Sequence, residues 1–206
     1  MSASRLVPLA GLATVALVVV AFIVSGETPN GDDPVLKIVS FYRDHDTDQV
    51  VSAGFLLWGM AAFLLFSSGL WRFLRDAEAE RRGASSLMLV GAALAAAGAT
   101  LFAGLAFTLG DFADDLSPQA IQTLNALNQD LFAPLTLGVF AFSIGAGASA
   151  IATGALPRWL GWVGVVVGVA ALTPAGFFAF LALGLWILIA SALIFRAGDR
   201  GAPGAR

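Results

Sequence analysis

Long apolar stretches, separated by short clusters of charged residues, dominate the chain. Six of them approach or exceed the roughly 20 residues that a helix needs to cross about 30 Å of hydrocarbon. They are residues 6–25, 50–73, 87–109, 131–155, 159–175 and 177–195. Most have no charged face, which the helices of a water-soluble fold need. The pattern predicts an all-α membrane protein with one domain over residues 1–197, a six-transmembrane-helix bundle.

The first and the fifth stretch need separate arguments. The first is about 20 residues long, more than the roughly 7–15 apolar residues of a signal peptide, so we expect a membrane span. A single helix over residues 159–195 would measure about 55 Å, more than a bilayer offers. Pro174 and Gly176 interrupt this region, since Pro cannot continue a helix and Gly favours its C-cap. The fifth and sixth spans should therefore form a tight hairpin, with the fifth only about 25 Å long.

Two segments between the spans carry helix start signals. Asp33-Pro34 and Ser117-Pro118 each place an N-cap residue before a proline at the first helical position. The first apolar face would contain Val35, Ile38, Val39 and Tyr42. The second would contain Ile121, Leu124, Leu127 and Leu131, with Gln122, Asn125 and Gln129 facing away. We expect two short amphipathic helices, over residues 34–44 and 118–129, on the outer side of the membrane.

Basic residues set the orientation, because they are retained on the cytoplasmic side. With six spans and a cytoplasmic N-terminus, nine of them lie inside and two outside. The nine are Arg5, Arg72, Arg75, Arg81, Arg82, Arg158, Arg196, Arg200 and Arg206; the two are Lys37 and Arg43. Both termini are therefore predicted to lie in the cytoplasm, with a disordered tail over residues 198–206.

Composition narrows the class of protein. Apolar residues make up 58% of the chain and charged residues 12%, against about 25% charged in a typical soluble domain. The absence of Cys excludes disulfides, thiolate metal sites and cysteine catalysis. The net charge of −3, without a dense basic run, excludes a nucleic-acid partner. The bilayer is the expected partner.

Small residues and tryptophans suggest how the helices pack. Helices in lipid approach each other through small residues. The Gly164-x-x-x-Gly168 face of the fifth span is expected to pack within the chain, with a homo-oligomer contact as the alternative. Trp71, Trp159 and Trp162 adjoin arginines, as interfacial anchors do. The remaining tryptophans, Trp58 and Trp186, are expected in the bundle core, with cavity lining as the alternative.

Candidate chemistry is concentrated around the only histidine. His45 adjoins Asp44 and Asp46, and a neutral imidazole with carboxylates can hold a divalent cation. The alternative is that these acids only stabilise a helix N-terminus. The candidate ligand-binding residues are Tyr42, Asp44, His45, Asp46, Asp111, Asp114 and Asp115, and the candidate metal ligands are Asp44, His45 and Asp46.

Two sequence strings resemble those of a known family. They are Phe41-Tyr42-Arg43-Asp44-His45 and Leu156-Pro157-Arg158-Trp159-Leu160-Gly161-Trp162. Together with the span pattern they resemble a family of uncharacterised bacterial, largely actinobacterial, six-span membrane proteins. The resemblance implies a bacterial cytoplasmic membrane and brings no activity or catalytic residues.

Three functions are compatible with the sequence. The middle of every predicted span lacks an ionisable side chain, which argues against proton-coupled transport and intramembrane catalysis. The favoured hypothesis is a non-catalytic protein that binds a small or lipophilic ligand within the bundle or at its outer face. The alternatives are a cation-selective transport or channel-like protein with an acidic outer vestibule, and a membrane enzyme with metal-assisted chemistry at His45.

Overall fold

The computed structural model describes residues 3–78 and 83–200. Within these ranges the chain forms eight α-helices and no strand. The helices are α1 (Ala3–Ser25), α2 (Val35–Asp44), α3 (Asp46–Glu78), α4 (Ser85–Asp111), α5 (Pro118–Asp130), α6 (Phe132–Thr153), α7 (Arg158–Ala171) and α8 (Gly176–Arg200). Because α8 continues to Arg200, the prediction of disorder is wrong for residues 198–200. Residues 201–206 of the predicted tail lie outside the described residues.

Five helices of the described chain are long and apolar enough to cross a membrane by length and composition. They are Leu6–Ser25, Asp46–Glu78, Ser85–Asp111, Pro118–Thr153, which joins α5 to α6, and Gly176–Arg196. The sixth apolar helix, α7, has only 14 residues, which is about 21 Å. The architecture is therefore an all-helical bundle of the membrane type.

Six of the helices form a closed ring in chain order. Helix α1 packs on α3, α3 on α4, α4 on α6, α6 on α7, α7 on α8, and α8 returns to α1. The short connections from α3 to α4, from α6 to α7 and from α7 to α8 favour antiparallel neighbours, whereas α2 and α5 lie in the longer connections from α1 to α3 and from α4 to α6. The cluster of buried side chains inside the ring includes Phe63, Phe66, Phe142 and Trp186.

Helices α4 and α6 make the closest contact in the ring. A Cβ atom added at Gly91 would overlap the backbone nitrogen of Phe142, and one added at Gly138 would overlap that of Ala95. Such close backbone approach is how small residues bring membrane helices together. Gly98 lies against Leu135, so residues 99–111 of α4 extend past the start of α6 and pack on α5.

The Gly164/Gly168 face of α7 is covered by α6. A Cβ atom at Gly168 would come within 2.9 Å of the Ile144 side chain, and one at Gly164 within 3.2 Å of the Ser143 carbonyl oxygen. These two glycines therefore pack inside the chain, and a homo-oligomer contact through α7 stays a prediction.

The turns at the other end of the ring are fixed by specific residues. Gly154 ends α6 at φ 71°, the left-handed conformation that glycine adopts without steric cost, and Pro157 then precedes α7. The Glu78 carboxylate accepts hydrogen bonds from the Ser85 backbone nitrogen at 3.1 Å and the Ser85 hydroxyl at 2.7 Å. This contact joins the end of α3 to the start of α4.

Helices α2 and α5 occupy the two segments for which the start signals predicted helices, and they pack on each other. Val39, Ile38 and Tyr42 are buried on α2, as its apolar stripe predicted. The predicted face of α5 is partly wrong. Its buried residues are Ile121, Asn125 and Asn128, whereas Leu127 is exposed. We call this pair of helices the cap.

The two deep tryptophans have different environments. Trp186 is 2% exposed and its indole nitrogen donates to the Leu160 carbonyl oxygen at 2.9 Å, so its predicted place in the core is confirmed. Trp58 is 72% exposed on the outer surface of α3, and its predicted burial is wrong. An aromatic side chain that faces lipid is already removed from water without a protein partner. Hydrophobicity alone therefore does not show whether such a side chain lies in the core, and the prediction for Trp58 rested on hydrophobicity.

Candidate functional site

A cavity of about 380 Å³ lies inside the ring, between α1 and α8 on one side and α3, α4 and α6 on the other. Its volume is within the range of small-molecule sites, roughly 300–1,000 Å³. The lining residues of α1 are Thr14, Val15, Val18, Val19, Phe22 and Ile23; those of α8 are Phe177, Phe180, Leu181, Leu183, Gly184, Leu185 and Ile187. Met60, Phe63, Ala95, Leu135 and Val139 complete the wall.

The cavity follows from how the ring closes. Helix α8 packs on α7 and α1 and lies close to α6 at only a few positions. Within the described residues no Cα atom of α8 lies within 8 Å of a Cα atom of α3 or α4. Helix α8 has no side chain that could fill this gap at residue 184, because Gly184 lacks one. A Cβ atom at Gly184 would have only the Val15 side chain near it, at 4.0 Å.

The wall of the cavity is apolar. Thr14 carries the one hydroxyl group of the lining, and this hydroxyl donates to the Ala10 carbonyl oxygen at 2.8 Å, inside its own helix. A polar group moved from water into such a site without a hydrogen-bond partner costs several kcal/mol, roughly 2–7. The cavity therefore suits hydrocarbon and disfavours polar groups.

The cavity reaches from the core of the ring to its outer surface. On the inner wall Met60, Phe63 and Leu183 are buried. On the other side Ile23 and Leu181 are mostly exposed, and both still line the cavity. Its apolar wall is thus continuous with the apolar outside of the bundle.

Phe22 and Phe180 close part of this opening. Their ring centroids are 5.9 Å apart with an interplanar angle of 64°, an edge-to-face contact typical of aromatic pairs. One ring comes from α1 and the other from α8, and both line the cavity. This aromatic pair joins the two helices near the end of α1.

The candidate site predicted around His45 is arranged differently from a binding pocket. Tyr42 is 1% exposed, and its hydroxyl donates to Asn125 Oδ1 at 2.7 Å. Asn125 Nδ2 in turn donates to the Pro29 carbonyl oxygen at 3.2 Å. Burial raises the pKa of Tyr42 to about 12. Tyr42 is therefore part of the contact between α2, α5 and the segment after α1, with its hydroxyl already committed.

The charged members of the predicted site lie on the surface. Arg43 Nε is 3.5 Å from Asp114 Oδ1 and donates to the Ala113 carbonyl oxygen at 3.3 Å, which ties α2 to the segment after α4. His45 Nδ1 is 3.0 Å from the Phe41 carbonyl oxygen, so this nitrogen carries a proton and only Nε2 faces outward. Asp46 accepts hydrogen bonds from Thr47 and adjoins the start of α3.

No three His, Asp or Glu side chains of the described residues gather closely enough to hold a metal ion. Asp44, Asp111 and Asp115 are exposed. Metal binding by Asp44, His45 and Asp46 stays a prediction without geometric support, as does a joint ligand site with the aspartates after α4. Two members of the predicted set have partners that were not predicted: Asp114 lies against Arg43, and Tyr42 is hydrogen-bonded to Asn125.

The cap does not cover the cavity. Helices α2 and α5 contact α3, α4 and α6, and in the described part of the chain neither contacts α1 or α8. The helices that form the opening of the cavity are thus outside the reach of the cap.

Sequence reasoning did not identify the cavity residues, because a valine or phenylalanine that lines a cavity has no different pattern from one that faces lipid. Asn125 had only a weak signal in the sequence. It shares one helical face with Ile121 and Asn128, but the leucines of α5 offered a more apolar face, and the sequence therefore placed Asn125 on the wrong side.

No protein-family model matches the chain, and no curated protein or solved structure is significantly similar to it.

Proposed function

We propose that this chain is a non-catalytic, six-span protein of a bacterial cytoplasmic membrane that binds a lipophilic ligand, a hydrocarbon chain, in the cavity between α1 and α8. The observation that carries the proposal is the cavity itself. It combines ligand-sized volume, an apolar wall and continuity with the outer surface of the bundle. An apolar ligand is favoured there by burial of its surface, about 25 cal/mol per Å².

The six-span layout is supported by where α7 and α8 meet α6. Gly161 lies against Gly147 near the end of α6, and a Cβ atom added at Gly176 would lie 3.5 Å from the Thr136 side chain near its start. Helix α7 therefore runs antiparallel along most of α6, and α8 begins beside the first turn of α6. A helix shorter than the hydrocarbon can span by local thinning of the bilayer. We place the cap on the outer side and both termini in the cytoplasm, in agreement with the distribution of basic residues.

Topology reporters test this layout. Fusions of a periplasm-active or cytoplasm-active reporter after residues 30, 80, 115 and 206 should report outside, inside, outside and inside. The expectation follows from nine basic residues inside against two outside. A fusion at residue 206 that is active only outside the cell would show that α7 does not cross the membrane.

The geometry gives less support to the cation-transport and enzyme alternatives. The cavity wall has no carboxylate and no ring of carbonyl oxygens that could replace the water molecules bound to an ion. Lys37 is paired with Asp33 at 2.8 Å and Arg43 with Asp114, so part of the acidic outer surface is neutralised by its own cations. Neither observation favours ion passage or metal-assisted chemistry, and hydrocarbon binding remains the proposal.

The test uses a phospholipid that carries a photoreactive group on its acyl chain, incorporated in bilayer nanodiscs with the purified protein. If the chain enters the cavity, photolysis should label the buried side chains of Met60 and Phe63. Trp58, on the outer surface of the same helix, reports ordinary contact with the bilayer. Gly184→Phe should reduce labelling of Met60 and Phe63 at least tenfold, because its ring projects into the cavity, and should leave Trp58 labelling unchanged.

Gly104→Phe is the matched control, since Gly104 is an exposed helical glycine with no atom near its added Cβ and no part in the cavity. It should label like the wild type at all three positions. If neither this phospholipid nor a free fatty acid with the same photoreactive chain labels Met60 and Phe63 of the wild type, or if Gly184→Phe labels them fully, the cavity does not hold the chain and the proposed function is wrong.

A further inference from the structure

We infer that the ligand is the acyl chain of a bilayer lipid, and that it enters sideways through the α1–α8 seam rather than along the axis of the bundle. The seam is defined by Gly11, Val15 and Phe22 on α1 and by Phe180, Gly184 and Ser191 on α8. This inference rests on the proposed function and adds the source of the hydrocarbon and its route.

The seam is wedge-shaped. At one end α1 and α8 touch, since a Cβ atom at Gly11 would overlap the Ser191 hydroxyl oxygen. Near the middle the gap widens, since a Cβ atom at Gly184 would lie 4.0 Å from the Val15 side chain. Beyond it the Phe22 and Phe180 rings bridge the two helices around the cavity. Helix α8 can therefore swing about the Gly11–Ser191 contact while the opposite end opens.

In the described residues, the seam lacks polar contacts of the kind that join α1 to α3 and α8 to α7. Helix α1 is tied to α3 by the Ser52 hydroxyl, which donates to the Ala21 carbonyl oxygen at 2.9 Å, and by Gln49 Nε2, which donates to the Ser25 carbonyl oxygen at 2.9 Å. Helix α8 is tied to α7 through Trp186 and Leu160. Among the described side chains no hydrogen bond or salt bridge joins α1 to α8, so separating them breaks only apolar contacts, which lipid chains replace.

The length of the cavity fits one leaflet. Its wall on α1 runs from Thr14 to Ile23, nine residues further along the helix and therefore about 14 Å. Half of the roughly 30 Å hydrocarbon core is about 15 Å. The widened end lies toward Ser25, whose carbonyl oxygen binds Gln49 beside the start of α3. A lipid of the leaflet on the cap side can thus place an acyl chain in the cavity and keep its head group at the interface.

A reversible crosslink across the seam tests this route. The chain has no cysteine, so Val15→Cys with Gly184→Cys provides a single pair that oxidation can join. A Cβ atom at Gly184 would lie 4.0 Å from Val15 Cγ1, which is one bond beyond the Val15 Cβ. The two positions are therefore close enough for a disulfide, with Cβ atoms about 3.5–4.5 Å apart, or for a short reducible crosslinker between the two thiols. The probe is the photoreactive phospholipid described above, added to protein in nanodiscs either before or after oxidation.

Oxidation before addition of the probe should lower labelling of Met60 and Phe63 at least tenfold, and reduction should restore it. Oxidation after loading should instead retain the probe against an excess of unlabelled lipid. Ile144→Cys with Gly168→Cys, which joins α6 to α7 outside the cavity, is the matched control and should load whether oxidised or reduced. Mass spectrometry of the intact protein verifies that each crosslink has formed.

Each outcome separates the route from the proposed function. If the oxidised Val15/Gly184 pair loads as fast as the reduced pair, the chain does not enter through the seam, although labelling of Met60 still supports binding in the cavity. If a free fatty acid carrying the same photoreactive chain labels Met60 and the phospholipid does not, the bilayer lipid is the wrong source. If neither probe labels Met60 in the wild type, the proposed function fails together with this inference.

Discussion

Gly91→Ala should destabilise the folded bundle by about 1–3 kcal/mol or more, the usual cost of overpacking a filled contact. The added methyl group would overlap the Phe142 backbone nitrogen and come within 2.6 Å of the Ala141 carbonyl carbon. Backbone atoms cannot rotate away as a side chain does, so α4 and α6 must move apart. That movement loosens the contact between Gly138 and Ala95 as well. Unfolding in mixed micelles of mild detergent and sodium dodecyl sulfate, followed by tryptophan fluorescence, measures the loss.

The same substitution at Gly104 is the control for Gly91→Ala. Both glycines are in α4, but no atom lies within 4 Å of a Cβ atom added at Gly104. Replacing a helical glycine by alanine should then stabilise the protein slightly, by up to about 1 kcal/mol, because alanine loses less backbone entropy on folding. If Gly91→Ala unfolds at the same detergent fraction as Gly104→Ala, the close contact between α4 and α6 is not essential to the fold.

The second large effect is expected at the buried hydrogen bond between Tyr42 and Asn125. Asn125→Leu leaves the Tyr42 hydroxyl without its partner at a site where Tyr42 and Asn125 are each 1% exposed. The Pro29 carbonyl oxygen loses one of its two hydrogen bonds and keeps the one from Gln129. An unsatisfied buried polar group costs about 1–3 kcal/mol. Tyr42→Phe leaves the Asn125 oxygen unpaired and should cost a similar amount. The double variant should lose less than the sum of the two, which a double-mutant cycle measures.

Alkaline pH should act on the same contact. Burial raises the pKa of Tyr42 to about 12, against about 10 in an unfolded chain. Because the folded-state pKa is the higher one, this contribution to stability is complete below about pH 10 and is lost as the pH rises through 12. This difference between the folded and unfolded pKa values corresponds to roughly 2–3 kcal/mol of the free energy of unfolding.

The tyrosine titration has a direct readout, because Tyr42 is the only tyrosine of the chain. The near-ultraviolet absorbance of the phenolate should appear only as the pH approaches about 12. Asn125→Leu should not bring that transition down to 10 as long as the cap stays folded, since burial alone is the cause of the shift. Gln119→Leu, an exposed change on the same helix, should alter neither stability nor titration. A wild-type transition near pH 10 would contradict the burial of Tyr42.

These contacts separate two parts of the molecule. The cap binds the segment after α1 through Asn125 and Gln129. Both side chains donate to the Pro29 carbonyl oxygen, Gln129 at 2.9 Å. The cap also packs on the start of α3 and the end of α4. The opening of the cavity lies between α1 and α8, which the cap does not contact in the described residues. Variants of the cap should therefore change stability more than acyl-chain binding, whereas Gly184→Phe should change binding with little effect on stability.

The sequence by itself determined the class of protein and most of its helices. Apolar runs near 20 residues admit only membrane helices, because in lipid the backbone must satisfy its hydrogen bonds within each segment. Pro174 and Gly176 located the break between α7 and α8, and Ser117 before Pro118 located the start of α5. The Asp33-Pro34 signal located the start of α2 to within one residue, but the predicted cap is wrong, because Pro34 and not Asp33 occupies the N-cap position. Each of these signals is local, because capping and helix termination depend on backbone groups within one turn.

Only the tertiary structure decided which apolar side chains face the core, the cavity or the surface. Trp58 and Trp186 have the same hydrophobicity, and one is exposed while the other is buried, because lipid removes the difference in solvation that sorts residues in water. The buried face of α5 contains Asn125 because Tyr42, 83 positions away, supplies its partner. The cavity exists because α8 closes the ring without reaching α3 or α4, a matter of distances between helices far apart in the chain that no local pattern encodes.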